Sequence, residues 1–239
     1  MPLDLSMLPI YIHPDDTSME FPNVELALSE PNGLLAIGGD LSPQRLVSAY
    51  GKGIFPWFND DQPILWWSPN PRMIITPQNV RISRSLKKTL RKNIFQFSFD
   101  RAFNQVVYAC AQPRPKQPET WITQEMMQAY GILHQQGIAH SFETWSDGKL
   151  VGGLYGVTIG KVFFGESMFS TVTDASKVAF ALSAECLKNW GYELIDCQVA
   201  TEHLASFGAK NISRIEFCQR LNKLTQQQPT PDAWVSHVN

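Results

Sequence analysis

Two polar residues in one short apolar segment are the first sign of chemistry in this sequence. Asp196 and Gln198 lie in the run LIDCQV over 194–199, which is typical of a β-strand. Because strand side chains alternate between two faces, we predict that Asp196 and Gln198 share a face. A carboxylate there could orient the amide, or an incoming amine, for acyl transfer. The alternative is that Asp196 pairs with a buried arginine or lysine, since a buried charge needs a partner.

A third polar residue, Glu166, lies in the apolar run VFFGESMF over 162–169. Alternation predicts that Glu166 shares a face with Phe164 and Met168. Polar groups in apolar strands are costly to bury without partners, so Glu166 is also a candidate for chemistry. His203 could act as a base, but a structural role with satisfied hydrogen bonds is the more common one for a lone histidine.

The elements that must position these residues lie in the second half of the chain. Tight turns are predicted at 147–148 and 158–161, where glycines separate apolar runs. The order β-β-β-α-β-α predicts an α+β fold, with helices covering a mixed sheet. The predicted elements are a strand to Trp145, strands over 150–157 and 161–169, a helix over 174–190, a strand over 193–199 and a helix over 213–224. A capping box at Ser213 and Glu216 predicts the start of the last helix.

Helix-capping residues mark the elements of the first half. Ser42, Ser83, Asp100 and Thr123 each precede a segment with helical spacing, and their side chains can accept hydrogen bonds from a first helical turn. The composition changes near 70–85, so we predict a small N-terminal α/β domain and a larger second domain. The remaining predictions are domains over 1–72 and 73–239, a short helix over 23–29, a strand in LLAIGGD and a connecting loop or lid over 112–119.

The segment over 54–72 contains three tryptophans and two phenylalanines among four prolines. Prolines at this density exclude a long helix. One interpretation is an apolar plug between two domains. The other is an aromatic wall that stacks a flat ligand such as a nucleobase.

A basic amphipathic helix is predicted over 83–92. Its basic residues fall within one arc, opposite Leu86 and Leu90, and no carboxylate is interleaved with them. Such a run is often only a solvated face, but four charges of one sign favour a surface that binds a polyanion. These residues are Arg84, Lys87, Lys88 and Arg91.

Composition excludes several classes of protein. A net charge of −2 excludes a uniformly basic nucleic-acid coat but leaves room for a local basic patch. The four cysteines lack CxxC spacing, which argues against a zinc site or a disulfide framework. We expect a cytoplasmic protein without a signal peptide or a membrane span. GxSxG, Walker A, HExxH and GxGxxG motifs are all absent.

Several longer strings together carry a resemblance to a known family. PNGLLAIGGDLSP, YGKGIFPWF, PILWWSPNPR, TWIT, GGLYG, FFGESMF, ASK and LIDCQ occur in this order between Phe21 and Trp234. This sequence resembles the leucyl/phenylalanyl-tRNA–protein transferases, the bacterial N-end aminoacyltransferases. The resemblance implies transfer of Leu or Phe, less readily Met, from aminoacyl-tRNA to the α-amine of proteins beginning with Arg or Lys. It also implies a GNAT-like C-terminal domain and no metal or coenzyme.

The resemblance further implies roles for individual residues. Trp57 and Trp121 correspond to residues that hold the 3′-terminal adenosine. Thr201 stands near the ribose, where asparagine is expected in the family. The implied aminoacyl pocket is Leu154, Phe163, Phe180 and Ser183; the implied reaction centre is Glu166, Asp196 and Gln198; and the implied tRNA contacts are Arg84, Lys88 and Arg91, with Lys87 on the same face.

The residues are compatible with this chemistry, because an aminoacyl ester is already activated and needs only positioning and oxyanion stabilisation. A GNAT-like N-acyltransferase with another acyl donor, such as acyl-coenzyme A, is the alternative. It predicts a Gly-rich pyrophosphate loop, which SMFSTVTDAS lacks. A non-catalytic RNA-binding module would not require Asp196 or Gln198. The expected partners are aminoacyl-tRNA and the acceptor protein, and the expected state is a monomer.

Overall fold

The computed structural model describes residues 8–113 and 120–235. Two β-sheets are present in this part of the chain, and helices lie on both faces of the larger one. The predicted α+β fold, with a small N-terminal region and a mixed C-terminal sheet, is confirmed. The predicted loop over 112–119 lies outside the described residues from 114 onward.

The smaller sheet has four short strands in the order β1-β2-β4-β3. They are β1 Ile10–Ile12, β2 Leu34–Gly38, β3 Phe55–Pro56 and β4 Leu65–Trp67, with helix α1 Pro43–Gly51 after β2. The Ser42 side chain accepts a hydrogen bond from Arg45 N, as predicted for the start of α1. The helix predicted over 23–29 is wrong, because only a single 3₁₀ turn forms at Val24–Leu26. So short a segment gains too few helical hydrogen bonds to offset nucleation.

The larger sheet has seven strands in the order β11-β5-β10-β9-β8-β7-β6. Only β9 and β10 pair in parallel, which the intervening helix allows, so the sheet is mixed as predicted. Its strands are β5 Arg72–Ile75, β6 Gln96–Phe99, β7 Ala139–Ser146, β8 Lys149–Ile159, β9 Val162–Ser170, β10 Leu194–Gln198 and β11 Lys210–Ile212. Among the described residues, six helices follow α1: α2 Arg84–Arg91, α3 Phe103–Ala111, α4 Gln124–Gln135, α5 Ala175–Asn189, α6 Glu202–Ser206 and α7 Arg214–Leu224.

Three of the four caps predicted for the helices after α1 are confirmed. The side chains of Ser83, Thr123 and Ser213 each accept a hydrogen bond from a backbone N–H in the first turn of α2, α4 or α7. The cap predicted at Asp100 is wrong. Its carboxylate instead accepts from Ser141 N at 2.9 Å, and α3 begins only at Phe103.

Two apolar clusters cover opposite faces of the larger sheet. The first cluster joins the smaller sheet, α1, α3, α4 and α7 to one face, and the second is built around α5 on the other. The first cluster contains side chains from both sides of the predicted division after residue 72, such as Tyr50 and Tyr155. Since β5 begins at Arg72, this residue belongs to the larger sheet. The division itself stays a prediction.

Within residues 8–113 and 120–235, every helix is too short or too polar to cross a bilayer. The cytoplasmic location and the monomeric state stay predictions.

Candidate active site

A cavity of about 620 Å³ opens where the strands β9 and β10 approach the aromatic segment of the smaller sheet. It brings together nine of the ten residues to which the resemblance assigns a role in the donor pocket or the reaction centre. They are Trp57, Trp121, Leu154, Phe163, Glu166, Phe180, Asp196, Gln198 and Thr201. Ser183 is absent from the cavity wall. It is 1% exposed, and its hydroxyl donates to the carbonyl of Phe180, so it supports the wall from behind.

Asp196 and Gln198 both reach the cavity, but not through a regular strand. The pairing of β10 with β5 shifts register between these two residues, and Gln198 has a φ of +60°. This left-handed conformation is unfavourable for a residue with a Cβ. Gln198 N donates to Asp196 Oδ1 at 2.9 Å, which ties the irregular backbone to the neighbouring carboxylate.

The partner of Asp196 is Arg72, the first residue of β5. Arg72 Nε lies 2.9 Å from Asp196 Oδ1, and Nη2 lies 2.7 Å from Oδ2, so the pair is bidentate. Both residues are fully buried. The alternative interpretation of Asp196 from the sequence, a pairing with a buried basic residue, is therefore confirmed. Sequence analysis missed Arg72, whose only local signal is one arginine directly before the apolar run MII.

Glu166 occupies a bulge in β9. Gly165 pairs with Gly156 and Ser167 with Tyr155, which leaves Glu166 as the extra residue between them. The bulge reverses the alternation, so Phe164 packs in the first apolar cluster and Met168 against the second. The prediction that Phe164 and Met168 share a face is thus wrong.

Both carboxylate oxygens of Glu166 accept hydrogen bonds. Gln198 Nε2 donates to Oε1 at 2.6 Å, and Tyr130 Oη donates to Oε2 at 2.8 Å. Tyr50 Oη lies 2.5 Å from Tyr130 Oη. Burial raises the pKa of Glu166 to about 7, although the hydrogen bonds from Tyr130, Tyr50 and Gln198 oppose this shift. Sequence analysis missed both tyrosines, which lie on the inward faces of α1 and α4.

The aromatic segment over 54–72 is divided between the core and the cavity wall. Trp66 is fully buried against Phe21 and belongs to the core. Trp57 is 45% exposed and stands at the cavity, where Trp67 Nε1 donates to its carbonyl at 2.7 Å. The backbone of Trp57 is therefore fixed by Trp67, while the Trp57 side chain stays partly exposed. Trp121 contributes a second indole to the same cavity.

Another part of the wall is apolar. Leu154 on β8, Phe163 on β9 and Phe180 on α5 all expose at most 3% of their surface and line the cavity together. A hydrocarbon side chain bound there would be removed from water, which is worth about 1.5–3 kcal/mol for leucine or phenylalanine. Close by, His203 also lines the cavity, and burial lowers the pKa of its imidazole.

The four basic residues predicted to grip tRNA lie on α2, outside the cavity wall. All four side chains are exposed, Leu86 faces the core, and none of the four forms an ion pair with a described residue. The helix is anchored where Thr89 donates to Asp174 beside the start of α5. In the described ranges, no cluster of three or more histidine, cysteine, aspartate or glutamate side chains could hold a metal ion.

Comparison with known proteins places the chain in a family. The family described as "Leucyl/phenylalanyl-tRNA protein transferase" matches residues 74–222, and its N-terminal domain matches residues 39–70. The leucyl/phenylalanyl-tRNA–protein transferase of Nitrosomonas eutropha is 63% identical over 90% of this chain and 92% of its own length. That of Methylococcus capsulatus is 55% identical over 93% of this chain and 95% of its own.

Similarity to solved structures is weaker. The structure of L-PGS from Bacillus licheniformis covers 72% of this chain and 57% of its own, with a TM-score of 0.38 and 14% identity. So low a score supports no inference about activity, whereas the sequence matches extend over nearly the whole length of both proteins. This chain is an enzyme of the leucyl/phenylalanyl-tRNA–protein transferase family.

Proposed function

We propose that this enzyme moves leucine or phenylalanine, and less readily methionine, from aminoacyl-tRNA to the N-terminal α-amine of proteins beginning with arginine or lysine. The transfer would mark these proteins for degradation. The observation that carries the proposal is one cavity that joins an apolar pocket, two indoles and a buried carboxylate–amide pair.

The cavity wall supports the binding of the aminoacyl-adenosine end of the donor. An apolar side chain, aliphatic or aromatic, suits the pocket of Leu154, Phe163 and Phe180, whereas a charged one would lose its hydration without a partner. The indoles of Trp57 and Trp121 offer stacking faces for the terminal adenine, and stacking tolerates any base. The basic face of α2 would hold the phosphate backbone of the acceptor stem.

The chemistry needs no covalent enzyme intermediate. The acceptor nitrogen attacks the ester carbonyl, the C–N bond forms, and the bond to the ribose 3′-oxygen breaks. One proton leaves the nitrogen and one is taken up by the ribose oxygen, so the step is balanced. With its Nε2 held by Glu166, the Gln198 amide can offer Oε1 to the attacking amine. Orientation of this kind converts the attack into an effectively unimolecular step.

Radiolabelled Leu-tRNA, offered to a model protein with N-terminal arginine and to the same protein with N-terminal methionine, tests the proposal. We expect label on the arginine protein only. A parallel reaction with acetyl-coenzyme A addresses the alternative acyl donor. Acetylation without transfer of leucine would replace the proposal by a GNAT-like N-acyltransferase.

Removal of the basic face of α2 should weaken tRNA binding. Arg84, Lys88 and Arg91 changed together to Ala should lower the slope of log affinity against log salt by roughly 0.9 per lost phosphate contact. Transfer from a minimal aminoacyl-adenosine donor should survive, because that donor lacks the acceptor stem. The measurement is tRNA affinity between 50 and 200 mM salt, roughly the range in which such contacts dominate.

The matched control removes the same charge elsewhere. Lys149, Lys188 and Lys223 are exposed and lie off α2, so their replacement by Ala should leave the salt slope within error. An unchanged slope in the α2 variant would make this helix only a solvated face.

Loss of an indole from the cavity should weaken donor binding. Trp57→Ala should raise the Kd of an aminoacyl-adenosine donor by about 5- to 150-fold, since stacking is worth about 1–3 kcal/mol per base. Trp57→Phe should retain more affinity, because it keeps a ring, and Trp121 should behave in the same way. Circular dichroism would establish that each variant is folded. A folded double Ala variant with normal donor affinity would assign both indoles to packing.

A further inference from the structure

The geometry assigns Arg72 the role of a positioning residue for the transfer: it holds Asp196 and, through it, the backbone that aims the Gln198 amide at Glu166. This inference rests on the proposed function, and it names a residue that acts on that same site without touching the substrates.

Asp196 is the link between Arg72 and the amide. Its Oδ1 accepts from Arg72 Nε and from Gln198 N, both at 2.9 Å, and its Oδ2 accepts from Arg72 Nη2 at 2.7 Å. The guanidinium therefore neutralises the charge of Asp196. Glu166 is left as the one carboxylate of the described cavity wall that has no cationic partner. An acceptor amine thus meets Gln198 and Glu166, and Asp196 contributes by fixing Gln198.

The backbone at Gln198 needs such support. Its left-handed φ of +60° is disfavoured for any residue with a side chain, and here it follows a bulge in the pairing of β10 with β5. Without the carboxylate, Gln198 N would lose its acceptor and the residue would relax toward extended backbone. Its side chain would then leave Glu166, since a peptide rotation moves the amide by several ångströms.

Arg72 also contacts a backbone carbonyl and two aromatic rings. Its Nη1 donates to the carbonyl of Gly53 at 3.1 Å, and its guanidinium lies 4.7 Å from the ring of Phe55 and 4.6 Å from that of Phe217. Phe55 is two residues from Trp57 of the cavity wall, and Phe217 lies on α7. The guanidinium thus connects the aromatic wall, α7 and the strand that carries Gln198.

Lysine cannot take this place. Only the planar fork of arginine offers parallel donors to a carboxylate while it stacks between two rings. Arg72→Lys keeps the charge and most of the volume but loses the bidentate contact. It is therefore the variant that separates the geometry of the pair from its charge.

A second buried arginine provides the matched control. Arg45 is also fully buried, and it pairs with Asp40 at 3.0 Å and with Asp16 at 3.4 Å in the N-terminal region. It is absent from the cavity wall. Arg45→Lys makes the same chemical change at a buried guanidinium whose partner carboxylates are partly exposed, so it measures what the loss of a buried fork does to folding away from the cavity.

Single-turnover transfer from pre-bound Leu-tRNA is the test, with donor Kd and thermal unfolding measured on the same samples. We expect Arg72→Lys to slow transfer by about 10- to 100-fold while the donor Kd stays within about twofold. Combined with Asp196→Asn it should slow transfer no further than Asp196→Asn does, because both changes act through one contact. Arg45→Lys should lower the unfolding temperature without slowing transfer.

A neutral replacement keeps the test decisive if Arg72→Lys folds poorly. Arg72→Met with Asp196→Leu removes both buried charges, which commonly restores stability, yet leaves Gln198 N without its acceptor. We expect a folded protein with slow transfer. Transfer within twofold of wild type in this double variant, or in a folded Arg72→Lys variant, would overturn the inference and make the pair a structural one. Failure of the wild type to transfer leucine would instead overturn the proposed function.

Discussion

Gln198→Ala is expected to slow single-turnover transfer from pre-bound Leu-tRNA by about 10²-fold or more, the range usual for a group that acts in the transition state. The donor Kd should change little, because the indoles and the apolar pocket remain. The reason is the contact of 2.6 Å between Gln198 Nε2 and Glu166 Oε1, which fixes the amide against the attacking nitrogen. Loss of that contact removes orientation and leaves binding intact.

Asp196→Asn should show the same pattern with an additional loss of stability. Asparagine keeps the shape but leaves the guanidinium of Arg72 without its counter-charge, and an unpaired buried charge costs about 3–5 kcal/mol. Rates must therefore be measured well below the unfolding temperature of the variant. The double variant of Asp196 and Gln198 should be much less than additive, because both residues act through one amide.

Gln136→Ala, an exposed glutamine at the end of α4, makes the same substitution away from the cavity and should transfer normally. Near-normal rates in both Gln198→Ala and Asp196→Asn would remove the pair from the mechanism. Placement of the tRNA end would then remain as the main source of catalysis.

Glu166→Gln is expected to lower the transfer rate and to raise the free energy of unfolding, each by an amount that depends on pH. The ionised carboxylate accepts hydrogen bonds at both oxygens, from Gln198 and from Tyr130, and burial raises the pKa of Glu166 to about 7. Wild-type rates should therefore rise as the pH passes through 7. The acceptor amine also titrates near 8, but its ionisation affects the rates of the wild type and of Glu166→Gln equally. The ratio of wild-type to variant rates should fall by about 30-fold from pH 8 to pH 5.5, as the ionised fraction falls.

The stability contributed by Glu166 should fall as the pH rises, whereas the transfer rate should increase. An ordinary glutamate titrates near 4.5, and in the folded protein the pKa of Glu166 is about 7, so the folded state binds this proton more tightly. Its contribution to stability is present in full below pH 4.5 and is lost as the pH rises through 7. Glu166→Gln abolishes this loss, so its free energy of unfolding at pH 8 should gain up to about 3 kcal/mol on the wild type, relative to pH 4.

Glu143→Gln is the control for burial alone. Glu143 is fully buried, burial raises its pKa, and it accepts from Ser98 and Ser141 away from the cavity. Its replacement should alter the pH dependence of stability but not the pH dependence of the rate ratio. A rate ratio for Glu166→Gln that is constant between pH 5.5 and pH 8 would show that transfer does not need the ionised carboxylate.

Local signals in the chain were enough for the helices α1 to α5 and α7 and for the strands β2 and β7 to β10. Caps at Ser42, Ser83, Thr123 and Ser213 begin their helices as predicted, because a side-chain oxygen and a backbone N–H three residues on meet without help from the rest of the fold. The family resemblance likewise brought Trp57, Leu154 and Phe163 to attention, and they do line one cavity. Five strands of three or four residues, β1, β4, β5, β6 and β11, escaped prediction because their order comes from pairing with distant partners.

The chemistry of the site depended on contacts that no local pattern contains. Arg72 and Asp196 are 124 positions apart, and Tyr130 and Glu166 are 36 apart, so neither pair leaves a periodic trace. Two bulges, at Glu166 and before Gln198, break the alternation from which faces were predicted and turn both side chains toward each other. The burial that raises the pKa of Glu166 exists only when α1, α4, β9 and β10 are packed together. The residue types therefore identified the groups that are capable of reaction. The partners, the charge state and the orientation of these groups arise from long-range packing, because hydrogen bonds and desolvation act through space and not along the chain.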